Sequence, residues 1–209
     1  MSPDRNDPAL RPGWPGLAAR LEGQLVVLEP LAAKHEQGLR KAAADPRIWS
    51  WMWVDASSPD GFTRWFEHAL AGATTGDEVP LVTIDRASGR PLGSSRYFAL
   101  RPEHRGLEIG HTWVTPSAWG TGVNVEAKLL MLGHAFETLG CMRVEFKTDR
   151  RNERSRGAME ALPARFEGIF RKHMLVREGK VRDSAYYAIV DDDWPEVKAN
   201  LERRLAARR

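Results

Sequence analysis

The sequence predicts an α/β fold with a central mixed sheet, mostly antiparallel, and flanking helices. Apolar residues alternate with a period of two in several short segments and recur at helical spacing in others. The early strands are separated by short turns such as Ala87-Ser88-Gly89-Arg90, which suits hairpins. A strand–helix–strand unit over residues 107–148 then adds a parallel pair. The predicted order is therefore β-α-α-β-β-β-α-β-α-β-β-α.

Turn residues delimit the elements of the first half. In chain order, the patterns predict a strand at 24–30, helices at 32–44 and 61–71, and strands at 80–85, 92–100 and 107–115. Pro30 ends the first strand, the Asp45-Pro46 turn ends the first helix, and Ser58-Pro59-Asp60 opens the second helix.

The second half is delimited in the same way. Its predicted elements are a long helix at about 123–139, a strand at 142–148, a helix at 152–162, strands at 166–176 and 184–190, and a last helix at 193–205. Gly140 suits the end of the long helix, because glycine readily adopts the left-handed conformation there. Pro195 lies in the first turn of the last helix, where proline is tolerated.

Composition excludes several classes of protein. The 209-residue chain is 42% hydrophobic and 28% charged, which suits one globular domain. No segment approaches the roughly 18 apolar residues of a membrane span, and the N-terminus has no apolar signal region. The single cysteine, Cys141, excludes an intrachain disulfide, and the six histidines are scattered, so no metal is expected. We expect a cytoplasmic protein with no membrane partner.

The distribution of Pro, Gly and charge divides the chain unevenly. Residues 1–19 are rich in Pro and Gly and are expected to form a flexible extension or an irregular arm, with residues 20–209 as a single domain. Residues 143–182 carry twelve Lys or Arg against six Asp or Glu. Such a region fits an anionic ligand, either a phosphorylated cofactor or a nucleic acid. An arginine-rich composition alone explains the count equally well.

A Gly-x-Gly pair precedes the long helix. Gly120 and Gly122 let the backbone approach a ligand, and the free N–H groups of the first helical turn favour an anion such as a pyrophosphate. The segment lacks the third glycine of a dinucleotide fingerprint and the Gly-Lys-Ser/Thr of a P-loop, so nucleotide hydrolysis is disfavoured. An ordinary glycine-rich turn is the alternative.

The run from Gly110 to Ser155 resembles the central part of the GCN5-related N-acetyltransferases (GNAT), and is closest to the branch that contains RimJ and RimL. The matching motifs are Trp119-Gly120-Thr121-Gly122 with Asn124, Glu126-Ala127-Lys128, His134-Ala135-Phe136, Lys147-Thr148-Asp149, Asn152-Glu153-Arg154-Ser155, Arg165-Phe166-Glu167-Gly168 and Asp183-Ser184-Ala185-Tyr186-Tyr187. The likeness covers about residues 23–205.

The resemblance implies the GNAT fold, with a splayed pair of parallel strands, and acetyl-CoA as the cosubstrate. The pantetheine arm would lie between the strands 107–115 and 142–148, hydrogen-bonded by amides near Trp113 and Val114. Asn152 and Ser155 match family positions near the pantetheine and the leaving sulfur. The pyrophosphate would lie on the backbone amides of Gly120, Thr121, Gly122, Val123, Asn124 and Val125.

Amine acetylation needs a proton acceptor, a proton donor and a group that stabilises an oxyanion. Glu108 is the candidate base, because strand alternation places it opposite Leu107 and Ile109 beside the splay. The alternative is a surface glutamate paired with an arginine. Many family members have a tyrosine where this chain has Met159. Either Ser155, Tyr186 or a water therefore protonates the thiolate, or the thiolate leaves unassisted.

Several further residues carry two interpretations. Trp49, Trp51 and Trp53 would share one face of an extended segment, and we expect one to line the acceptor groove and the others to be buried. His111 alternates with Ile109 and Trp113 and is either a base or a packed core residue. Pro163 stands where related sequences have glycine, so the preceding helix should end differently, since proline holds φ near −65°. Lys128, Arg150, Arg151 and Arg154 are candidates to meet the CoA phosphates, or are solvated charges.

The resemblance predicts an N-acetyltransferase that moves acetyl from acetyl-CoA to a primary amine, most simply a protein N-terminal α-amine. Such an amine has a pKa near 8, against about 10.4 for lysine, so more of it is neutral at pH 7. The alternatives are a small-molecule amine (polyamine, amino acid or antibiotic) and a non-catalytic module that binds CoA or nucleic acid. Nucleic acid is disfavoured because an RNA-binding pattern of aromatic and basic residues is missing. A homodimer is left open.

Overall fold

The computed structural model describes residue 14 and residues 16–208 of the chain. Within them lies one eight-stranded sheet flanked by five α-helices. The strands are β1 (Leu21–Glu22), β2 (Val26–Pro30), β3 (Val79–Asp85), β4 (Pro91–Arg101), β5 (Gly106–Val114), β6 (Arg143–Asp149), β7 (Arg165–Leu175) and β8 (Val181–Val190). The helices are α1 (Glu36–Ala42), α2 (Pro59–Thr75), α3 (Val123–Gly133), α4 (Glu153–Glu160) and α5 (Trp194–Ala206).

The predicted mixed, mostly antiparallel sheet is confirmed. Its strand order is β1-β2-β3-β4-β5-β6-β8-β7, and only β5 and β6 run parallel. Their pairing covers three residue pairs and ends at Glu108 opposite Glu145. Beyond that pair both strands continue for several residues without bonding to each other, which opens a gap in the middle of the sheet.

Each face of the sheet carries its own apolar core. Helices α3 and α5 cover one face, where buried residues such as Leu107, Ile109 and Leu201 meet. Helices α1 and α2 cover the other face at the β2–β5 half of the sheet, around Trp65 and Trp113. No described helix has both the length and the apolar character that crossing a bilayer takes.

A β-bulge reverses the alternation along β5. His111 has φ = 49°, and the register with β4 shifts between Ser94 and Arg96. One extra residue on β5 turns all later side chains to the opposite face. Ile109 therefore belongs to the α3 and α5 core, whereas Trp113 belongs to the α1 and α2 core. The prediction that His111, Ile109 and Trp113 share a face was wrong.

The N-terminal segment is less separate than the sequence suggests. Trp14 is 2% exposed and Leu17 is 4% exposed, and both belong to the α3 and α5 core. The carbonyl oxygen of Gly16 lies 2.8 Å from Nε2 of His134 on the continuation of α3. This part therefore packs as an irregular arm, one of the two alternatives given for residues 1–19, and the domain boundary between residues 19 and 20 stays a prediction. The expectation for residues 1–13 lies outside the described residues.

The end of α4 differs from expectation as well. Pro163 has φ = 30°, in the left-handed region that proline disfavours. The Ala164 N–H still donates to the Met159 carbonyl at 3.1 Å, which is the bond that closes a glycine-ended helix. The proline thus takes the conformation that we expected it to exclude, at a cost in backbone strain.

Candidate active site

The gap between β5 and β6 forms the wall of a cavity of about 260 Å³, called here the central cavity. Neighbouring residues on each strand, Glu108 with Ile109 and Phe146 with Lys147, all line it. Successive side chains of a strand point to opposite faces, so the cavity passes through the sheet at the gap. The short parallel pairing therefore creates the site.

A second cavity of about 360 Å³, the loop cavity, lies between Trp113, Val114 and the segment 118–125. It opens into the central cavity, because the two have eight lining residues in common. These are Trp51, Met52, Thr112, Asn124, Val125, Asn152, Ser155 and Ala158. Together the cavities form a channel from the start of α3 to the middle of the sheet.

The start of α3 is shaped by two glycines in left-handed conformations. Gly120 has φ = 78° and Gly122 has φ = 96°. The first helical bond runs from the Glu126 N–H to the Gly122 carbonyl at 2.9 Å, so the amides between them have no partner within the helix. Asn124 and Val125, in this first turn, line both cavities. The helix N-terminus thus offers anion-binding amides to the channel.

Not every residue expected at this turn reaches the channel. Gly120, Gly122, Asn124 and Val125 line it, together with Trp113 and Val114. The Thr121 hydroxyl instead donates to the Ala118 carbonyl at 2.8 Å, and Val123 packs in the core. The side chains of Thr121 and Val123 therefore support the turn. Their N–H groups make only long hydrogen bonds of 3.5 Å, to the Ala118 carbonyl and to Thr121 Oγ1, which a ligand would have to replace.

Glu108 is buried beside the gap, with 2% of its surface exposed. Its Oε2 accepts a hydrogen bond from Lys147 Nζ at 2.6 Å, and its Oε1 is buried with no hydrogen-bond partner. Burial raises the pKa of Glu108, and the Lys147 ammonium opposes that rise. The expected arginine partner is thus a lysine, and one carboxylate oxygen is left to accept a proton. Lys147 was not among the predicted site residues.

Tyr186 does not join the channel. Its hydroxyl lies 3.1 Å from Nε2 of His173, and its ring stacks on Phe170 at 4.1 Å between centroids. Tyr186 lines neither cavity. As a candidate proton donor it is therefore held on the β7–β8 hairpin, away from Ser155.

Two polar residues of α4 meet the channel. Asn152 Oδ1 accepts a hydrogen bond from the Ser155 N–H at 3.1 Å and so caps the helix. Ser155 lines both cavities, as does Asn152. Met159, which has no proton to donate, lies in the wall of the central cavity. Ser155 is thus the hydroxyl that the structure brings to the channel on α4.

His111 is a poor base in this fold. Burial lowers its pKa to about 3, helped by the cations of Arg96 and Lys147. Its ring packs edge-on against Phe98 at 5.0 Å. A side chain at Gly110 would lie 2.7 Å from the same Phe98 ring, so glycine is required there for His111 and Phe98 to pack. The structural interpretation of His111 fits this geometry.

Lys128 is an unusual member of the wall. Its ammonium is buried and donates to Thr112 Oγ1 at 2.8 Å and to Ser95 Oγ at 3.4 Å. Burial lowers its pKa to about 7. It points into the protein beneath the bulge, so it is not placed to meet CoA phosphates. The alternative of a solvated charge does not fit a side chain that is 6% exposed, because helix position alone does not tell inside from outside.

The tryptophan-rich segment is not extended. Residues 46–49 form a 3₁₀ turn, and Trp49 is fully buried with its indole N–H on the Ala43 carbonyl. Trp51 lines both cavities, and Trp53 lines the central cavity. The prediction of one lining tryptophan and two buried ones was therefore wrong by one residue, because a turn and not a strand directs these side chains.

The basic region is largely neutralised. Seven of its twelve cations make ion pairs with carboxylates of the described residues. They are Arg143, Lys147, Arg150, Arg151, Arg165, Arg177 and Lys180. Arg154, in contrast, lines the loop cavity and lies over the Trp119 ring at 4.3 Å. Arg208 also lines the loop cavity and donates to the Gly120 carbonyl, 88 residues away along the chain. It was not among the residues predicted from the sequence.

Cys141 does not offer a nucleophile. It is 1% exposed, and burial raises its pKa to about 12. A thiol in that state holds almost no thiolate at neutral pH. The arrangement therefore favours direct attack of an amine over a covalent acyl-cysteine.

Comparison with known proteins identifies the family. The acetyltransferase (GNAT) domain model matches residues 26–165, about two thirds of the chain. The chain is a GNAT acetyltransferase. This family transfers acetyl from acetyl-CoA to an amine. In this acetyltransferase, the channel runs from the glycine turn to the gap in the sheet.

Solved structures agree with this assignment. A GCN5-related N-acetyltransferase from Brucella melitensis is 30% identical, with a TM-score of 0.83 over 90% of this chain and 86% of that chain. A protein assigned as an acetyltransferase from T. thermophilus is 37% identical, with a TM-score of 0.78 over 89% and 96%. Mycobacterium smegmatis RimJ, solved with CoA-disulfide, has the same fold at 22% identity and a TM-score of 0.76, over 95% and 98%. No curated protein matches the acetyltransferase.

Proposed function

We propose that this acetyltransferase acetylates the α-amine of a protein N-terminus. The observation that carries the proposal is the state of Glu108, a buried carboxylate with one oxygen held by Lys147 and the other without a partner. Such a group accepts a proton from an amine that is already close to neutral, as an α-amine is at pH 7. A polyamine would need several free carboxylates, whereas Glu108 is the one carboxylate among the described residues that lines the central cavity.

The donor side of the channel supports acetyl-CoA in the orientation implied by the resemblance. The amides of the α3 N-terminus would hold the pyrophosphate, with Arg154 and Arg208 beside it. The unpaired Oδ1 of Asn124 points to a polar ligand in the same place. The gap between β5 and β6 would take the pantetheine arm.

The thioester carbonyl needs a hydrogen-bond donor in the gap. The Thr115 N–H donates to the Leu92 carbonyl on β4 at 2.7 Å. Successive N–H groups of a strand point to opposite edges, so that of Val114 is directed to the β6 side. This supports Val114, and not Trp113, as the donor. Ser155 is then the residue that would protonate the leaving thiolate.

An acyl-transfer screen tests the acceptor. Purified enzyme with acetyl-CoA is offered short peptides with free N-termini, the same peptides with a blocked N-terminus and an internal lysine, and small amines including polyamines and free amino acids. Thiol release measures turnover, and mass spectrometry locates the acetyl group. We expect acetylation of free N-termini. Turnover confined to small amines would contradict the proposed acceptor.

A further inference from the structure

Arg182 on β8 is a cation of the central cavity that forms no ion pair with a described carboxylate, although Asp149 and Glu108 interact with it at longer range. Its Nε donates to Ser184 Oγ at 3.0 Å, and its side chain lines the cavity. Among the described residues, no carboxylate oxygen lies within 4.0 Å of its nitrogens, and its two terminal nitrogens make no hydrogen bond. Arginine remains charged at neutral pH, so a half-buried guanidinium in this state lacks the counter-charge that such groups require.

The carboxylates near Arg182 are already committed to other cations. The ion pairs are Glu108 with Lys147 at 2.6 Å, Asp149 with Arg151 at 2.8 Å, and Glu145 with Arg101 at 2.7 Å and Arg143 at 2.8 Å. The neighbouring His173 adds no positive charge at neutral pH, because burial and the cations of Lys147 and Arg182 lower its pKa. Lys128 and Arg204 also line the cavity, but the Lys128 ammonium donates to Thr112 and Ser95, and Arg204 donates to the Ala161 carbonyl at 2.6 Å. Arg182, in contrast, keeps both terminal nitrogens available to a ligand.

The position of Arg182 relative to Glu108 indicates which part of an acceptor would carry the anionic group. Arg182, Ser184 and Tyr186 share one face of β8, and Tyr186 is opposite Lys147, the partner of Glu108. Arg182 is four residues before Tyr186, about 13 Å along the strand at ~3.3 Å per residue. The long side chains of Arg182 and of a bound acidic residue would shorten the distance that the peptide backbone has to cover. Glu108 and Arg182 interact electrostatically across the cavity. An extended peptide advances ~3.3 Å per residue, so a peptide with its α-amine at Glu108 can bring its second or third side chain towards Arg182.

We propose that Arg182 determines acceptor specificity by binding an acidic side chain at the second or third residue of the acceptor N-terminus. This inference rests on the proposed N-terminal acceptor. Arg182 is not expected to bind the CoA phosphates. The amides of the α3 N-terminus, Arg154 and Arg208 lie in the loop cavity, which Arg182 does not line. A guanidinium–carboxylate pair is a charge-assisted, often bidentate contact, which makes it selective between a carboxylate and its amide isostere.

The test compares matched peptides that differ in one group. Each peptide has Glu or Gln at position two or three, with the remaining residues unchanged, and kcat/KM is measured for wild type, Arg182→Gln and Arg182→Lys. We expect wild type to prefer the Glu peptides by about 10-fold or more, the range of a charge-assisted hydrogen bond. Arg182→Gln should lose the preference through KM, and Arg182→Lys should retain part of it.

Two controls separate the possible failures. Arg171→Gln removes an exposed arginine of the same hairpin and should leave the preference unchanged. The rise in melting temperature with CoA should be the same in Arg182→Gln as in wild type, which shows that the variant is folded and binds the donor. Equal kcat/KM for Glu and Gln peptides in wild type, or a preference that survives Arg182→Gln, overturns this inference alone. Turnover of small amines with no peptide acetylated overturns the N-terminal acceptor and this inference together.

Discussion

At the scale of single residues, Glu108 is the side chain that we propose as the acceptor of the amine proton. Glu108→Gln should lower kcat/KM by ~10²-fold or more, because the amide cannot accept the proton of the amine. The loss should shrink at high pH, where the amine is already neutral, and CoA affinity should barely change. Steady-state kinetics against pH, with CoA binding by calorimetry, measure both effects.

The matched control is Glu145→Gln. Glu145 faces Glu108 across the β5–β6 pairing but lines neither cavity, and it is held by Arg101 and Arg143. Its replacement should leave kcat/KM within a few-fold of wild type. Full activity of Glu108→Gln at neutral pH would show that the amine loses its proton to another acceptor.

Lys128 is a second residue whose protonation the fold alters. Burial lowers its pKa from 10.5 in the unfolded chain to about 7 in the folded protein. Below pH 7 the lysine is charged in both states, so the folded protein bears the full free-energy cost of burying that charge. As pH rises from about 7 towards 10.5, this cost disappears and wild type gains stability. Lys128→Met, which has no such charge, should therefore be more stable than wild type at pH 6–7, by an amount on the order of a few kcal/mol.

Urea unfolding at several pH values measures this difference. The advantage of Lys128→Met should fall steadily above pH 7, while Ser95 and Thr112 keep their mutual hydrogen bond of 2.8 Å in the variant. Lys41→Met, which replaces an exposed lysine on α1, is the matched control and should show no such trend. A difference that does not depend on pH would mean that packing, and not charge burial, separates the two proteins.

At the scale of elements, the end of α4 holds a proline in a glycine conformation. Pro163→Gly should stabilise the protein, because glycine adopts a positive φ without the conflict with a pyrrolidine ring, offset in part by the greater freedom of glycine in the unfolded chain. The net gain is expected to be about 1 kcal/mol, measured as a shift in the urea midpoint. Pro163→Ala is the control that removes the ring but keeps a Cβ. A loss of stability in Pro163→Gly would show that the ring is needed at the end of α4.

At the scale of the whole molecule, the N-terminal arm is part of the α3 and α5 core. Trp14→Ala should destabilise the enzyme by about 3–5 kcal/mol, the usual cost of truncating a buried tryptophan. Trp51→Ala removes a tryptophan that is 39% exposed and should cost much less. Equal stability of Trp14→Ala and wild type in urea would mean that the arm contributes nothing to the folded core.

Local patterns were enough to predict most of the architecture. Period-two and helical spacings placed seven of the eight described strands and the long helix α3, and missed only the two-residue β1. Proline, glycine and capping residues affect the backbone within a few residues, so their effects can be predicted from one segment at a time. The glycine turn at Gly120 and Gly122 and the position of Glu108 could be predicted in the same way, from local glycine spacing and strand alternation.

The sequence by itself therefore determined the mixed sheet and pointed to the glycine turn before α3 and to the candidate base, Glu108. Only the tertiary structure decided what those groups meet. Lys147 binds Glu108 across 39 residues, and Arg208 reaches Gly120 across 88. The bulge at His111 reverses a face, and Arg182 lines the central cavity without an ion pair to any carboxylate that the structure describes. Burial, register and ion pairing depend on residues distant in the chain, and no local period encodes them.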